Sequence, residues 1–177
     1  MSHPGRGSPQ TAAVPFAVYG RGSRTRYAAR DMEDTDREIL KLLAADGRMS
    51  YTDLAKETGL SVSAVHARVR RLEQRGAIRG YHAVVDPESI GLALTAFISV
   101  KPIDPSAPDD TPERLVGLPQ IEACHSVAGD ENYILKVRVA SPTALETLLQ
   151  DIRAAAGVST HTTVVLSTPY EGRPPAL

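Results

Sequence analysis

The residues with the strongest chemical character lie in a short arginine-rich segment of the N-terminal half. Between residues 61 and 76 the chain carries four arginines, at positions 68, 70, 71 and 75, against one acid, Glu73. A guanidinium group is permanently charged, and its planar fork of donors fits phosphate oxygens and the edge of guanine. The segment therefore suits contact with a nucleic acid, provided that a regular element holds its arginines on one surface.

Apolar residues in the same segment repeat at helical spacing. Val62, Val65, Val69 and Leu72 recur three or four residues apart, behind Ser61 as a candidate N-cap and ahead of Gly76 as a stop. If this stripe packs inward, the other faces of the helix supply candidate DNA-binding residues. Those near base edges are Ser61, Ser63, Ala64, His66, Ala67 and Arg70. Those better placed for phosphates are Arg68, Arg71 and Arg75.

Two further helices are predicted upstream of this one. The first begins near Glu33, and the second spans 51–58 behind Ser50 as its N-cap. Gly59 then breaks the chain before the third helix, which predicts a helix-turn-helix geometry with the last helix able to enter a major groove. A plain three-helix bundle with a solvated arginine face is the alternative, and the periodicity alone does not exclude it.

The second half of the chain alternates strands and helices. The predicted strands are 78–85, 92–100, 121–127, 133–139 and 158–166, with helices at 113–118 and 143–155 and a Pro-rich acidic loop at 102–112. After the first strand, the order βαββαβ predicts a ferredoxin-like sandwich with both helices on one face of an antiparallel sheet. The fold class is therefore α+β.

The net charge of −1 conceals an uneven distribution. Residues 32–81 carry nine Lys or Arg against eight acids, whereas residues 82–177 carry six against twelve. A phosphate backbone would attract the first half and repel the second. No apolar run long enough to span a bilayer and no secretory signal are present, so we expect a cytoplasmic protein. The single cysteine, Cys124, excludes an intramolecular disulfide, and we expect it to be buried beside a strand.

Residues 1–31 are rich in Gly, Pro, Ser and Arg and show no regular period, which predicts a disordered basic extension. Two alternatives stay open. Either Met32 is the true start codon, or the segment is translated and its arginines add unspecific phosphate contacts. Those arginines are Arg21, Arg24, Arg26 and Arg30.

The stretch 36–91 resembles the signature of the Lrp/AsnC (feast/famine) family almost from end to end. It contains Asp-Gly-Arg between helices, Gly-Leu-Ser at the turn, Arg-Val-x-Arg-Leu-Glu in the third helix and Gly-x-Ile-x-Gly-Tyr after it. The family often has Pro where this chain has Val62 and Ala64. The resemblance implies a winged helix-turn-helix that binds double-stranded DNA, followed by a RAM-type domain that binds an amino-acid effector. It also implies an assembly of dimers into tetramers or octamers, with strand 78–85 pairing between protomers.

The resemblance also implies where the effector binds. Family members bind amino acids near a Gly-x-x-Asp-Tyr-like turn, where this chain has Gly129, Asp130, Glu131, Asn132 and Tyr133. Asn132 replaces the Asp often found there and removes one charge. Ser126, Thr162 and Thr163 match flanking positions. From the residues alone, an ordinary hairpin turn is the favoured interpretation, and only the resemblance reverses it.

The predicted organisation has five parts. They are a 1–31 extension, a 32–77 helix-turn-helix domain, a 78–91 hinge, a 92–170 effector and oligomerisation domain, and a 171–177 tail. The predicted function is regulation of amino-acid metabolism genes at the nucleoid, with an effector-independent DNA-wrapping protein as the alternative. No cofactor, metal or membrane is expected. A metal at His125 and His161 lacks further ligands, and no catalytic motif supports an enzyme.

Overall fold

The computed structural model describes residues 32–175, so the predictions for residues 1–31 lie outside the described part of the chain. Three helices come first, α1 (Asp34–Ala45), α2 (Tyr51–Thr58) and α3 (Val62–Gln74). They are followed by β1 (Leu94–Pro102), α4 (Thr111–Leu115), β2 (Ile121–Ser126), β3 (Tyr133–Val139), α5 (Pro142–Ala156) and β4 (Val158–Val164). Within residues 32–175, no helix is both long and apolar enough to cross a membrane.

The ends of α2 and α3 form as their cap residues predict. Ser50 Oγ accepts the Asp53 amide at 3.1 Å, and Ser61 Oγ accepts the Ala64 amide at 3.2 Å. Each cap satisfies a backbone donor that the helix itself leaves without a partner. Between the two helices Gly59 adopts a left-handed conformation with φ 69°, which glycine reaches without steric cost. This tight turn sets the geometry of α3 relative to α2.

The three helices enclose a small apolar core of their own. Its fully buried members are Ile39, Leu54, Val65, Val69 and Leu72, as the periodicity predicts. Val62 differs from the prediction, because 46% of it is exposed. It is the first residue of α3.

The four strands form an antiparallel sheet in the order β2-β3-β1-β4, which confirms the ferredoxin-like prediction. Helices α4 and α5 cover one face of the sheet. The core between them includes Ile98, Leu135, Val137, Leu148 and Ile152. None of the helices between residues 32 and 175 covers the other face, which we call the open face. Strand pairing places the following residues on it: Phe97, Ser99, Ile134, Lys136, His161 and Thr163.

Residues 78–85 form no strand in this chain, contrary to the prediction. Val84 and Val85 in this segment are exposed, with 97% of Val84 accessible. A lone extended segment has no partner for its backbone donors and acceptors, so it cannot build a ladder by itself. Pairing between two protomers stays a prediction.

Two local predictions are also corrected. Cys124 was expected to be buried, yet it is exposed, because it lies on β2 at the edge of the sheet. Partial burial, followed by the charge of Glu113, raises the pKa of its thiol. The short helix begins at Thr111 rather than near Glu113, with Pro112 in its first turn, where proline is well tolerated.

The segment after β4 returns to the sheet and is tied to β3 by charged side chains. Glu171 hydrogen-bonds Lys136 and lies 3.4 Å from Arg138 Nη2. On the other side, Glu122 Oε2 lies 3.1 Å from Lys136 Nζ and Glu122 Oε1 lies 2.7 Å from Arg138 Nε. The bond from Lys136 lowers the pKa of Glu171. We call these four residues the ionic cluster.

Candidate functional site

An exposed stripe runs along α3 on the side away from its core. Ser63, His66, Ala67 and Arg70 stand at helical spacings of three and four, and all four are exposed. Val65 and Val69 occupy the opposite side and are fully buried. The packing of α3 therefore presents these four side chains together, as the sequence predicts.

Arg68 and Arg71 face α1 instead of the surface assigned to them from the sequence. Asp36 on α1 is 1% exposed, and its two carboxylate oxygens lie 2.8 Å from Arg68 Nη1 and 2.7 Å from Arg71 Nη2. Arg68 Nη1 also lies 2.8 Å from Glu33 Oε2. The bond to Asp36, followed by the bond to Glu33, raises the pKa of Arg68. We call the contacts of Arg68 and Arg71 with Asp36 and Glu33 the α1–α3 ion pair.

This contact changes the interpretation of both arginines. Their guanidinium groups are half-buried and already hold carboxylates, so they position α3 against α1. Arg75, the C-cap of α3, is exposed and keeps its assignment as a phosphate-contact candidate. Periodicity missed the distinction because it shows which face is apolar but not which acid lies opposite a given arginine.

A capping hydrogen bond forms at the start of α3. Ser61 accepts the Ala64 amide, and its hydroxyl lies 3.1 Å from the Ser63 hydroxyl. Ala64 is half-buried against the bundle. Of the predicted positions in this turn, Ser63 is the one on the exposed stripe.

Aromatic contacts around this surface were not predicted from the sequence. The rings of Tyr51 and His66 lie 5.2 Å apart with their planes at 82°. Tyr81 donates a hydrogen bond to Glu73 Oε1 at 3.2 Å, and burial, followed by that bond, raises the pKa of Tyr81 to about 12. A shallow cavity of about 340 Å³ lies beside them. It is lined by Leu43, Gly47, Arg48, Met49, Ser50, Tyr51 and Tyr81.

The candidate effector turn joins β2 to β3. The Val127 amide donates to Asn132 O at 3.1 Å and closes the turn, and the Asn132 amide donates to Val100 O at 3.1 Å. Within residues 32–175 no hydrogen bond uses the backbone amides of 128–131. Gly129 has no left-handed conformation, and an added Cβ would lie 3.7 Å from Glu131 Oε2, an ordinary contact. The turn itself therefore does not require glycine.

Tyr133 follows the turn but faces the core, with 4% of it exposed. Its hydroxyl hydrogen-bonds Asp109 in the loop after β1. Ser126 pairs with Tyr133 across the strands and is exposed. Tyr133 thus links the turn to that loop, while Gly129, Asp130 and Asn132 are at the surface.

Thr162 and Thr163 do not join the turn within one chain. Thr163 lies on the open face opposite Phe97, whereas Thr162 pairs with Ile98 on the helix-covered face. Both belong to β4, which β3 and β1 separate from β2. At about 4.8 Å per strand spacing, the two edges are about 14 Å apart.

The histidines at the two sheet edges are separated in the same way. His125 on β2 and His161 on β4 occupy opposite edges of the sheet. Among residues 32–175, no three metal-ligating side chains come together.

Comparison with known families agrees with both halves of this architecture. Residues 32–79 match a winged helix-turn-helix DNA-binding model, and residues 95–175 match the Lrp/AsnC ligand binding domain. The HTH-type transcriptional regulator LrpA of Mycobacterium tuberculosis is 53% identical over 142 residues, covering 80% of this chain and 95% of the relative. The chain belongs to the Lrp/AsnC family of transcriptional regulators.

Other regulators are similar to this chain over most of its length. The leucine-responsive regulatory protein of Escherichia coli K12 is 37% identical over 77% of this chain and 86% of its own length. A feast or famine regulatory protein from M. tuberculosis, solved in complex with L-methionine, superposes with a TM-score of 0.80 at 52% identity, covering 81% of this chain and 97% of that one. A Neisseria meningitidis regulator, also in complex with L-methionine, has a TM-score of 0.73 at 27% identity, covering 79% and 93%.

The α1–α3 ion pair generates a prediction about stability. Replacing Asp36 with Ala leaves two guanidinium groups without their shared carboxylate, and because both are partly exposed they regain water in part. We expect the free energy of unfolding, measured by urea denaturation, to fall by about 2–4 kcal/mol.

Asp34→Ala is the matched control, since it removes an exposed carboxylate from the same helical turn. Its loss costs at most about 1 kcal/mol through the helix dipole. Equal losses in the two variants would show that the ion pair does not hold α3.

Proposed function

We propose that this Lrp/AsnC protein binds specific DNA sequences through α3. The exposed stripe on that helix supports the proposal, because it presents hydrogen-bonding side chains together on one surface. Arg70 and His66 would read base edges together with Ser63, whereas Arg75 would contact the phosphate backbone. Arg68 and Arg71 would act indirectly, by holding the helix in place.

The effector we propose is a small amino acid bound at the β2–β3 turn. The amides of 128–131 suit an α-carboxylate, and the neighbouring carboxylates of Asp130 and Glu131 suit an α-ammonium group. Two relatives have been solved with L-methionine, which makes it the first ligand to test. Regulation of amino-acid metabolism genes at the nucleoid would follow from such a ligand.

The complete effector site would lie between copies of the chain. Ser126, beside the turn, lies on the edge strand β2, whereas Thr162 and Thr163 lie on the opposite edge strand β4, about 14 Å away. A second copy that brings its far edge to this turn would supply what one chain lacks. The open face, on which Phe97 is exposed near the centre, suits packing of two sheets into a dimer, from which tetramers or octamers would be built.

DNA recognition is tested by Arg70→Ala and Arg75→Ala. Duplexes enriched from a random pool by the unmodified protein serve as specific DNA, and scrambled duplexes serve as unspecific DNA. Loss of Arg70 should weaken specific binding by about 1–3 kcal/mol and relax the preference at one base position. Loss of Arg75 should weaken binding to both duplexes alike and reduce the salt slope by about 0.9. Identical behaviour of the two variants would contradict the division of roles.

Effector binding is tested with Gly129→Ala. A methyl group fits this turn within the chain, so the melting temperature should not change. It would, however, stand where a ligand carboxylate approaches the backbone, so calorimetric binding of L-methionine should weaken by tenfold or more, about 1.4 kcal/mol. D-Methionine and the other amino acids are the controls. If none of these amino acids changes the affinity for the enriched duplex, the effector-independent DNA-wrapping protein is favoured.

Assembly is tested with Phe97→Asp. The side chain is exposed, so the single chain should still fold, but a carboxylate between two packed sheets would lose its water, and Lys136 across the strands is already held by Glu122 and Glu171. We expect sedimentation to show loss of the dimer. The control is Val116→Asp, which changes an exposed apolar residue beyond the end of α4, off the open face. Equal sedimentation of both variants would place the interface elsewhere.

A further inference from the structure

Tyr51 and His66 belong to different helices but meet at the protein surface. Tyr51 is the first residue of α2, and His66 stands on the exposed stripe of α3. Their ring centroids are 5.2 Å apart with an interplanar angle of 82°, which is the edge-to-face arrangement that aromatic rings prefer. With 38% of Tyr51 exposed, the contact is not part of the core.

We propose that Tyr51 is a positioning residue for base reading by His66. An exposed histidine on a helix samples several rotamers, and it loses that freedom when it binds a base edge. A ring packed against the imidazole removes part of the freedom before DNA arrives, so less is lost on binding. The proposal rests on the DNA-binding function proposed above.

The contact depends on how α2 and α3 are joined. Gly59 in its left-handed conformation and the Ser61 cap fix the angle between the helices, and that angle brings the first turn of α2 to the second turn of α3. The packing of α2 against α3 therefore determines whether Tyr51 can contact His66. The sequence holds no local signal for it, since the two residues are 15 positions apart.

A different role for Tyr51 would give different results. Its hydroxyl, at the start of α2, is a donor that suits a phosphate oxygen, and a phosphate contact stabilises specific and unspecific complexes equally. Ring packing against His66 stabilises only the complex in which His66 reads a base. Comparing the two duplexes separates these roles.

The experiment measures affinities of the full chain for a duplex enriched from a random pool and for its scrambled counterpart. The variants are Tyr51→Ala, Tyr51→Phe, His66→Ala and the Tyr51→Ala/His66→Ala double variant. Thr52→Ala, an exposed neighbour on α2, is the matched control. Tyr51→Ala should weaken the enriched duplex by about 2- to 12-fold and leave the scrambled duplex unchanged. Tyr51→Phe and Thr52→Ala should match the unmodified protein.

The double variant tests whether the two residues act as one unit. If Tyr51 acts through His66, the double variant should bind no more weakly than His66→Ala alone. Additive losses, equal losses on both duplexes, or a Tyr51→Phe defect as large as that of Tyr51→Ala would overturn the proposal. If Tyr51→Ala lowers the melting temperature, Tyr51→Leu replaces it, because it keeps bulk on the helix without an aromatic edge.

The outcomes also separate this proposal from the proposed function. Failure of the unmodified protein to enrich any sequence would overturn both. Enrichment that Arg70→Ala relaxes and His66→Ala weakens, but that Tyr51→Ala leaves intact, would overturn the positioning role alone.

Discussion

The exposed stripe of α3 depends on one buried carboxylate. Asp36 is almost completely removed from water, and a charge in that position is tolerated only because Arg68 and Arg71 reach it from α3. The apolar core fixes how deeply α3 packs, but apolar contacts are non-directional and leave the helix free to rotate slightly. Charged hydrogen bonds between planar groups are directional, so the ion pair sets that rotation. With the rotation set, Ser63, His66 and Arg70 share one exposed surface.

The ion pair also changes how the charge of α3 is counted. Four arginines against one glutamate suggest a strongly basic helix, but Asp36 and Glu33 neutralise two of those arginines in the folded protein. Arg70 and Arg75 are the arginines of this segment that are exposed. Such a helix would obtain less of its affinity from unspecific attraction and more from the few side chains on its stripe.

A different constraint governs the C-terminal domain. Its four-stranded sheet has two faces, and its two helices cover only one of them. The open face retains Phe97 at its centre, while the ionic cluster ties the returning segment near Glu171 to β3. The same strand order places Ser126 and Thr163 on opposite edge strands. Both the open face and the separation of the predicted effector residues are therefore consequences of the topology of a single chain.

The sequence by itself determined most of the helices and strands, and it also determined the exposed stripe on α3. Caps at Ser50 and Ser61, the glycine turn and the apolar periods are local signals, and they correctly predicted three helices and a ferredoxin-like sheet. The stripe on α3 followed from the same helical periodicity. Only the tertiary structure decided what each polar residue faces. It paired Arg68 and Arg71 with Asp36, separated His125 from His161 and paired Tyr51 with His66. The physical reason is that periodicity records which side of an element avoids water, whereas ion pairs and ring contacts depend on which distant segment packs against that element.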